Sequence, residues 1–180
     1  MIEVVIDSIR VSLMSQHRLV ILKDVNSDRL LPIWIGPFEA DAITIELQQE
    51  PPARPMTHDL LKNVIEELGG KVVHVYISEL RNDVYYARIV IEIDGRQIEV
   101  DSRTSDAVAV AVRAKVPIFV VENVLERASI KPDEDVQDKI ESGELESPSD
   151  SGDNVDDRKL SAFADFLNSL DIDLDEEDED

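Results

Sequence analysis

KVVHVYISELRNDVYYARIVIEIDGRQIEV, residues 71–100, decides the fold. From Lys71 the apolar residues Val73, Val75 and Ile77 alternate with His74, Tyr76 and Ser78, the period-two pattern of a strand with two unlike faces. Arg81-Asn82-Asp83 interrupts the pattern before a second apolar run, Val84 to Ile93. Asp94-Gly95 then supplies a two-residue hairpin turn leading to a third run, Gln97 to Val100. Three antiparallel strands are expected.

Helices flank this unit on both sides. Upstream, Leu60, Leu61, Val64, Ile65 and Leu68 recur at spacings of three and four, predicting a helix over Asp59 to Leu68 with Thr57 as N-cap and Gly69-Gly70 as its stop. Downstream, the Ala- and Val-rich stretch Ser105 to Ala114 predicts a tightly packed helix. A short strand at Pro117 to Val120 and a short helix at Glu122 to Ala128 follow. Toward the N-terminus, residues 2–13 and 18–25 read as a hairpin turning at Ser15-Gln16-His17. A third strand, Leu30 to Ile35, ends at Gly36-Pro37, and Phe38 to Gln49 reads as a helix. Glu50 to Pro55, with three prolines, is a surface loop. The expected class is mixed α/β of the α+β kind, a mostly antiparallel or mixed sheet packed with three or four helices.

Charge divides the 180 residues. The chain carries 40 acidic and 18 basic residues, but residues 1–130 hold 20 acidic and 14 basic, net −6, and residues 131–180 hold 20 acidic and 4 basic, net −16. The expected organisation is therefore a folded domain over 1–130, a disordered acidic linker over 131–155, and an acidic tail over 156–180. Within that tail Leu160, Phe163, Phe166, Leu167 and Leu170 recur at helical spacing. The domain lacks the clustered Lys and Arg of a tight nucleic-acid binder, which leaves weak and transient contact with nucleic acid. There is no cysteine, so disulfides, thiolate zinc sites and cysteine nucleophiles are excluded. The first residues are interrupted by Glu3 and Asp7 and lack a basic start, unlike a signal peptide, and no apolar run reaches the roughly 20 residues of a membrane span. A cytoplasmic protein with no membrane association is expected.

Three short segments concentrate polar chemistry ahead of helices: Pro32-Ile33-Trp34-Ile35-Gly36, Arg54-Pro55-Met56-Thr57-His58-Asp59, and Asp101-Ser102-Arg103-Thr104-Ser105-Asp106. Helix starts offer unpaired N–H groups and the positive dipole end to anions. His58 with Asp59 has the groups of a general base or metal ligand; the plainer reading is a dipole-complementing Asp59 beside an exposed His58. Arg54 adds a guanidinium able to clamp a phosphate. In the third segment Ser102, Thr104 and Ser105 are also cap residues, and Arg103 is placed to pair with either carboxylate. Glu39 and Asp41 are equally first-turn acids. The single Trp34 reads as a core or interface residue. There is no phosphate-binding Gly-rich loop, His-Glu-x-x-His or Gly-x-Ser-x-Gly.

Taken together, the segments resemble the bifunctional nuclease family, also catalogued as a domain of unknown function, over about residues 1–130. The carriers are Pro32 to Gly36 with Glu39-Ala40 and Ala42-Ile43, Arg54 to Leu60, Tyr86-Ala87, and Asp101 to Ala107. Thr104 departs from the family's usual proline there, removing no reactive group. The resemblance implies a compact domain forming homo-oligomers, dimers or larger, with divalent-metal DNase and RNase activity of little sequence specificity. Residue chemistry then assigns roles: Glu39, Asp101 and Asp106 as carboxylate ligands of Mg2+ or Mn2+, and His58 orienting or deprotonating water. Arg54 and Arg103 would hold the scissile phosphate, with the hydroxyls of Thr57 and Ser105 beside it. The alternative is a non-catalytic oligomeric regulatory or scaffold module that binds a small anion or a partner protein. In that reading the tail segment 156–170 would seat in a partner's groove, or the acidic tail would mimic nucleic acid at the protein's own site.

Overall fold

The computed structural model describes residues 1–11, 17–49 and 52–131. The expected linker 131–155, beyond Lys131, and tail 156–180 lie outside the described residues, as does the expected turn at residues 15–16. Strands β1 (Ile2–Val11), β2 (Arg18–Asp24) and β3 (Leu30–Ile35) are followed by helices α1 (Pro37–Leu47) and α2 (Thr57–Glu67). Strands β4 (Gly70–Arg81), β5 (Val84–Ile93) and β6 (Arg96–Arg103) lead into α3 (Thr104–Ala114), β7 (Ile118–Val120) and α4 (Glu122–Ala128). Among the described residues no helix is long and apolar enough to cross a membrane.

The strands form one seven-stranded sheet in the order β3-β2-β1-β7-β4-β5-β6. All neighbours are antiparallel except β4 and β7. Both expected hairpin turns are present, with Asn82 and Asp83 at φ 49° and 60° and Asp94 and Gly95 at 49° and 73°, the two positive values a twisted two-residue turn requires.

The mixed α+β class is as expected, with four helices on the sheet. One core takes buried residues from all four helices and from every strand except β6. At its centre Ala107, Val108, Ala109, Val110 and Ala111 of α3 are buried nearly completely, their small side chains letting α3 pack against α1, α2, β4 and β5. A second cluster, Leu19, Ile21 and Leu30 with Trp34 and Ile130, covers the alternate side of β2 and β3. Trp34 is thus a packing residue, meeting His17 edge to face at 5.9 Å.

Two local expectations shift. Helix α2 starts one residue early: Met56 is its N-cap and Thr57 its first helical residue, because the Asp59 carboxylate accepts the Met56 backbone N–H at 2.8 Å. Its apolar stripe does not face the core, since Leu60, Leu61, Val64 and Leu68 are exposed and Ile65 alone is buried.

Candidate active site

The first turns of three helices meet at one point. Gly36 caps α1, and Glu39 in the first turn folds back over it so closely that a Cβ at Gly36 would overlap the carboxylate. His58 occupies the first turn of α2, its side chain only 12% exposed. Arg103 caps α3 from the end of β6, and Asp106 lies in that helix's first turn.

These four side chains form a continuous network. His58 Nε2 lies 3.0 Å from Asp106 Oδ1. Arg103 donates to the same carboxylate at 2.7 and 3.0 Å and reaches Glu39 Oε1 at 2.8 Å. Burial pushes the Asp106 carboxyl up, but the hydrogen bonds from Arg103 and His58 outweigh it and hold the group below its ordinary value. The same two carboxylates raise Arg103. An ionised Asp106 can only accept, so the His58 proton belongs on Nε2 in the neutral ring, leaving the lone pair on Nδ1. That nitrogen has no hydrogen-bond partner among the described residues. The outcome is a histidine with its tautomer set by a carboxylate, the carboxylate itself fixed by a guanidinium.

Alongside runs a second connection that the sequence did not single out. Arg113 is almost wholly buried, donating to Asp59 at 2.6 Å and to the carbonyls of Ala109 and Ala42 at 3.0 Å each. It ties α3 to α2 and α1. Burial raises Asp59, while the Met56 N–H and Arg113 bring it below its ordinary value. The only sign of this in the sequence was a charged residue within the Ala- and Val-rich face of α3.

The remaining expected site residues stand apart from the network. Arg54 is exposed in the loop before α2, with no hydrogen bond or ion pair among the described residues, and Thr57 is exposed at the first position of α2. Ser105 is buried in the first turn of α3, beside a Thr104 hydroxyl that is buried without a partner. Asp101 is opposite Arg88 on β5 and pairs with it at 3.5 Å. The neighbouring register pairs Ile89↔Val100 and Ala87↔Ser102 lie on the core side, so alternation turns Asp101 to the other face of the sheet, away from the helices.

That placement bears on the expected metal. Among the described residues no three His, Asp or Glu side chains are grouped to hold an ion. Glu39 and Asp106 share the Arg103 guanidinium, and Asp101 lies across the sheet. The expected set of three carboxylates therefore does not fit a metal in this arrangement, because a cation between Glu39 and Asp106 would have to displace Arg103.

Residues 20–133 match the model of the bifunctional nuclease domain. An uncharacterized protein of Mycobacterium tuberculosis is 43% identical over 133 residues, covering 73% of this chain and 79% of its own. Bifunctional nuclease 1 of Oryza sativa subsp. indica is 33% identical over 107 residues, and that of Arabidopsis thaliana 26% identical over 143. These alignments cover 58% and 77% of this chain but only 32% and 42% of the plant proteins. With the domain match spanning most of the fold and all three polar segments, the chain belongs to the bifunctional nuclease domain family.

Proposed function

We propose that the chain hydrolyses phosphodiester bonds of DNA and RNA at the point where the starts of α1, α2 and α3 meet. The observation that carries this reading is the His58–Asp106–Arg103 network in a chain of this family. His58 Nδ1 removes the proton from an attacking water whose oxygen bonds to phosphorus as the P–O ester bond breaks, the leaving oxygen taking a proton from solvent, while Asp106 holds the ring and offsets the charge it gains. Arg103, its side chain 67% exposed, and the exposed Arg54 take the phosphate oxygens and the charge that develops on them. Thr57 and the N–H groups at the starts of α2 and α3 add neutral donors. Binding of nucleic acid is weak and transient in this reading, since the described fold carries no basic stripe.

The test is cleavage of labelled single- and double-stranded DNA and RNA by the full chain, with Mg2+, Mn2+ or EDTA, beside His58→Ala. Cleavage lost in the variant supports the assignment, and the EDTA arm measures the dependence on Mg2+ or Mn2+. Equal cleavage by both proteins overturns it. A second reading, a regulatory module without catalysis, is favoured by one feature: Arg103 is already neutralised by two carboxylates. No cleavage by a folded wild-type chain selects that reading.

A further inference from the structure

Arg103 is paired with more negative charge than it can balance. A guanidinium offers two edges to oxygen acceptors. The Nε/Nη2 edge is closed on Asp106, with Nε to Oδ2 at 2.7 Å and Nη2 to Oδ1 at 3.0 Å. On the other side Nη2 meets Glu39 Oε1 at 2.8 Å, and Nη1 makes no hydrogen bond among the described residues. That second edge is the one left for a phosphate, and Glu39 stands at it. One guanidinium and two carboxylates leave one net negative charge, so a phosphate diester arriving with both in place meets repulsion. One carboxylate has to yield. Asp106 is held twice by Arg103 and once by His58, whereas Glu39 makes one ion pair and no other polar contact among the described residues. Pro37, Phe38 and Asp41 around it are exposed, which leaves solvent for the Glu39 side chain to turn into.

We propose that Glu39 occupies the phosphate subsite of Arg103 in the free chain as a built-in competitor, and that a substrate phosphate binds by displacing it. The cap of α1 fits that role. Gly36 lacks the Cβ that would overlap Glu39 Oε2, so the glycine admits the carboxylate to this position. Its φ of −67° is open to other residues, so what the glycine supplies here is space and not backbone freedom. A phosphate offers two oxygens to the Nη1/Nη2 edge where Glu39 uses one, and it replaces the carboxylate, whereas a neutral ligand gains too little from the guanidinium to do so. The neutralised Arg103 is then the resting state of the site, oriented by Asp106 and masked by Glu39 until an anion arrives. The inference rests on the reading of Arg103 as the phosphate-holding group, not on His58 as the base.

The test is titration of the full chain with inorganic phosphate at fixed ionic strength, read from the backbone NMR signals at the starts of α1 and α3. Glu39→Gln keeps the shape and removes the competing charge, and is expected to bind phosphate about tenfold more tightly than the wild type. Gly36→Ala keeps every charge but drives the Glu39 carboxylate off its position, and is expected to shift affinity in the same direction. Adding Arg103→Ala to Glu39→Gln is expected to abolish the gain. In cleavage assays the fall in KM for a labelled oligonucleotide in Glu39→Gln is expected to exceed any change in kcat. Phosphate affinity that Glu39→Gln leaves unchanged or weakens overturns the proposal, since Glu39 would then be holding Arg103 in place. Because phosphate binding is read without turnover, a chain that gains affinity as expected and cleaves nothing supports the displaced carboxylate and removes the nuclease reading alone.

Discussion

His58 Nε2 and Asp106 Oδ1 stand 3.0 Å apart, joining two helix starts separated by 48 positions in the chain. The pair is asymmetric, because Asp106 also accepts two hydrogen bonds from Arg103. Replacing Asp106 with Asn keeps the shape and removes the charge, so that the His58 tautomer is no longer dictated. Under the proposed mechanism Asp106→Asn lowers cleavage by about 10²-fold or more, as loss of a positioned base does. The check is kcat and KM beside a thermal melt, with the loss expected mainly in kcat.

Arg113 offers a test of the scaffold. Its guanidinium is buried against Asp59 and two carbonyls, so Arg113→Met leaves a partly buried carboxylate without its cationic partner and takes one hydrogen bond from each carbonyl. The expected cost is about 3 kcal/mol, read from urea unfolding. Adding Asp59→Ala recovers part of it, since the second change removes the orphaned charge. Two independent losses would instead add up, and the double-mutant cycle tells these apart.

The strands and helices were legible because their signals are local. Alternation in residues 71–100, the Asp94-Gly95 turn and the Ala/Val run of α3 each act within a few residues. What failed to be legible depends on which side of an element meets the body. The stripe on α2 has the spacing of a core face, yet α2 contacts the body through His58, Asp59, Lys62 and Ile65. Likewise Asp101 and Asp106 are neighbours in sequence, but β6 ends and α3 begins between them, and only Asp106 joins the helices. Arg113 was missed because a buried arginine depends on carbonyls contributed by other helices.

A site remote from the network adds to the acid-sensitive stability that the lowered carboxyls of Asp59 and Asp106 contribute. The Asp24 carboxylate is buried, and the Ser27 hydroxyl, then the Asn26 N–H and Arg29, lower its pKa from 3.8 to about 2 against the opposing effect of burial. A carboxyl lowered in the folded state stabilises fully above its unfolded value and loses that contribution as pH falls through the folded value. The window is therefore about pH 4 down to pH 2, worth about 2 kcal/mol. Asp24→Asn is expected to lower stability near neutrality by that amount and to flatten the acid limb. Melting temperature against pH for both proteins is the check.

Thr104 is the first residue of α3, buried, with a hydroxyl that finds no partner. Arg103 before it has φ −63° and ψ 147°, extended geometry that a following proline accepts. A proline at the first helical position gives up an N–H that the helix does not use. Thr104→Pro is expected to raise stability by about 0.5–1 kcal/mol, partly through the unfolded chain. Equal or lower stability in urea unfolding would mean that the buried hydroxyl has a role the geometry does not reveal.

Asp101 separates sequence proximity from spatial membership of the site. It stands five residues before Asp106 and two before Arg103, yet its carboxylate is on the far face of the sheet with Arg88 at 3.5 Å. That ion pair is exposed, 40% at Arg88 and 67% at Asp101, so its contribution to stability is under about 1 kcal/mol. If catalysis belongs to the meeting point of the helix starts, Asp101→Ala keeps cleavage within about twofold of the wild type while Asp106→Asn does not. The comparison uses matched pH and Mg2+ or Mn2+ series. Equal losses in the two variants would make β6 part of the substrate path, and the reacting phosphate would then have to approach from the opposite face of the sheet.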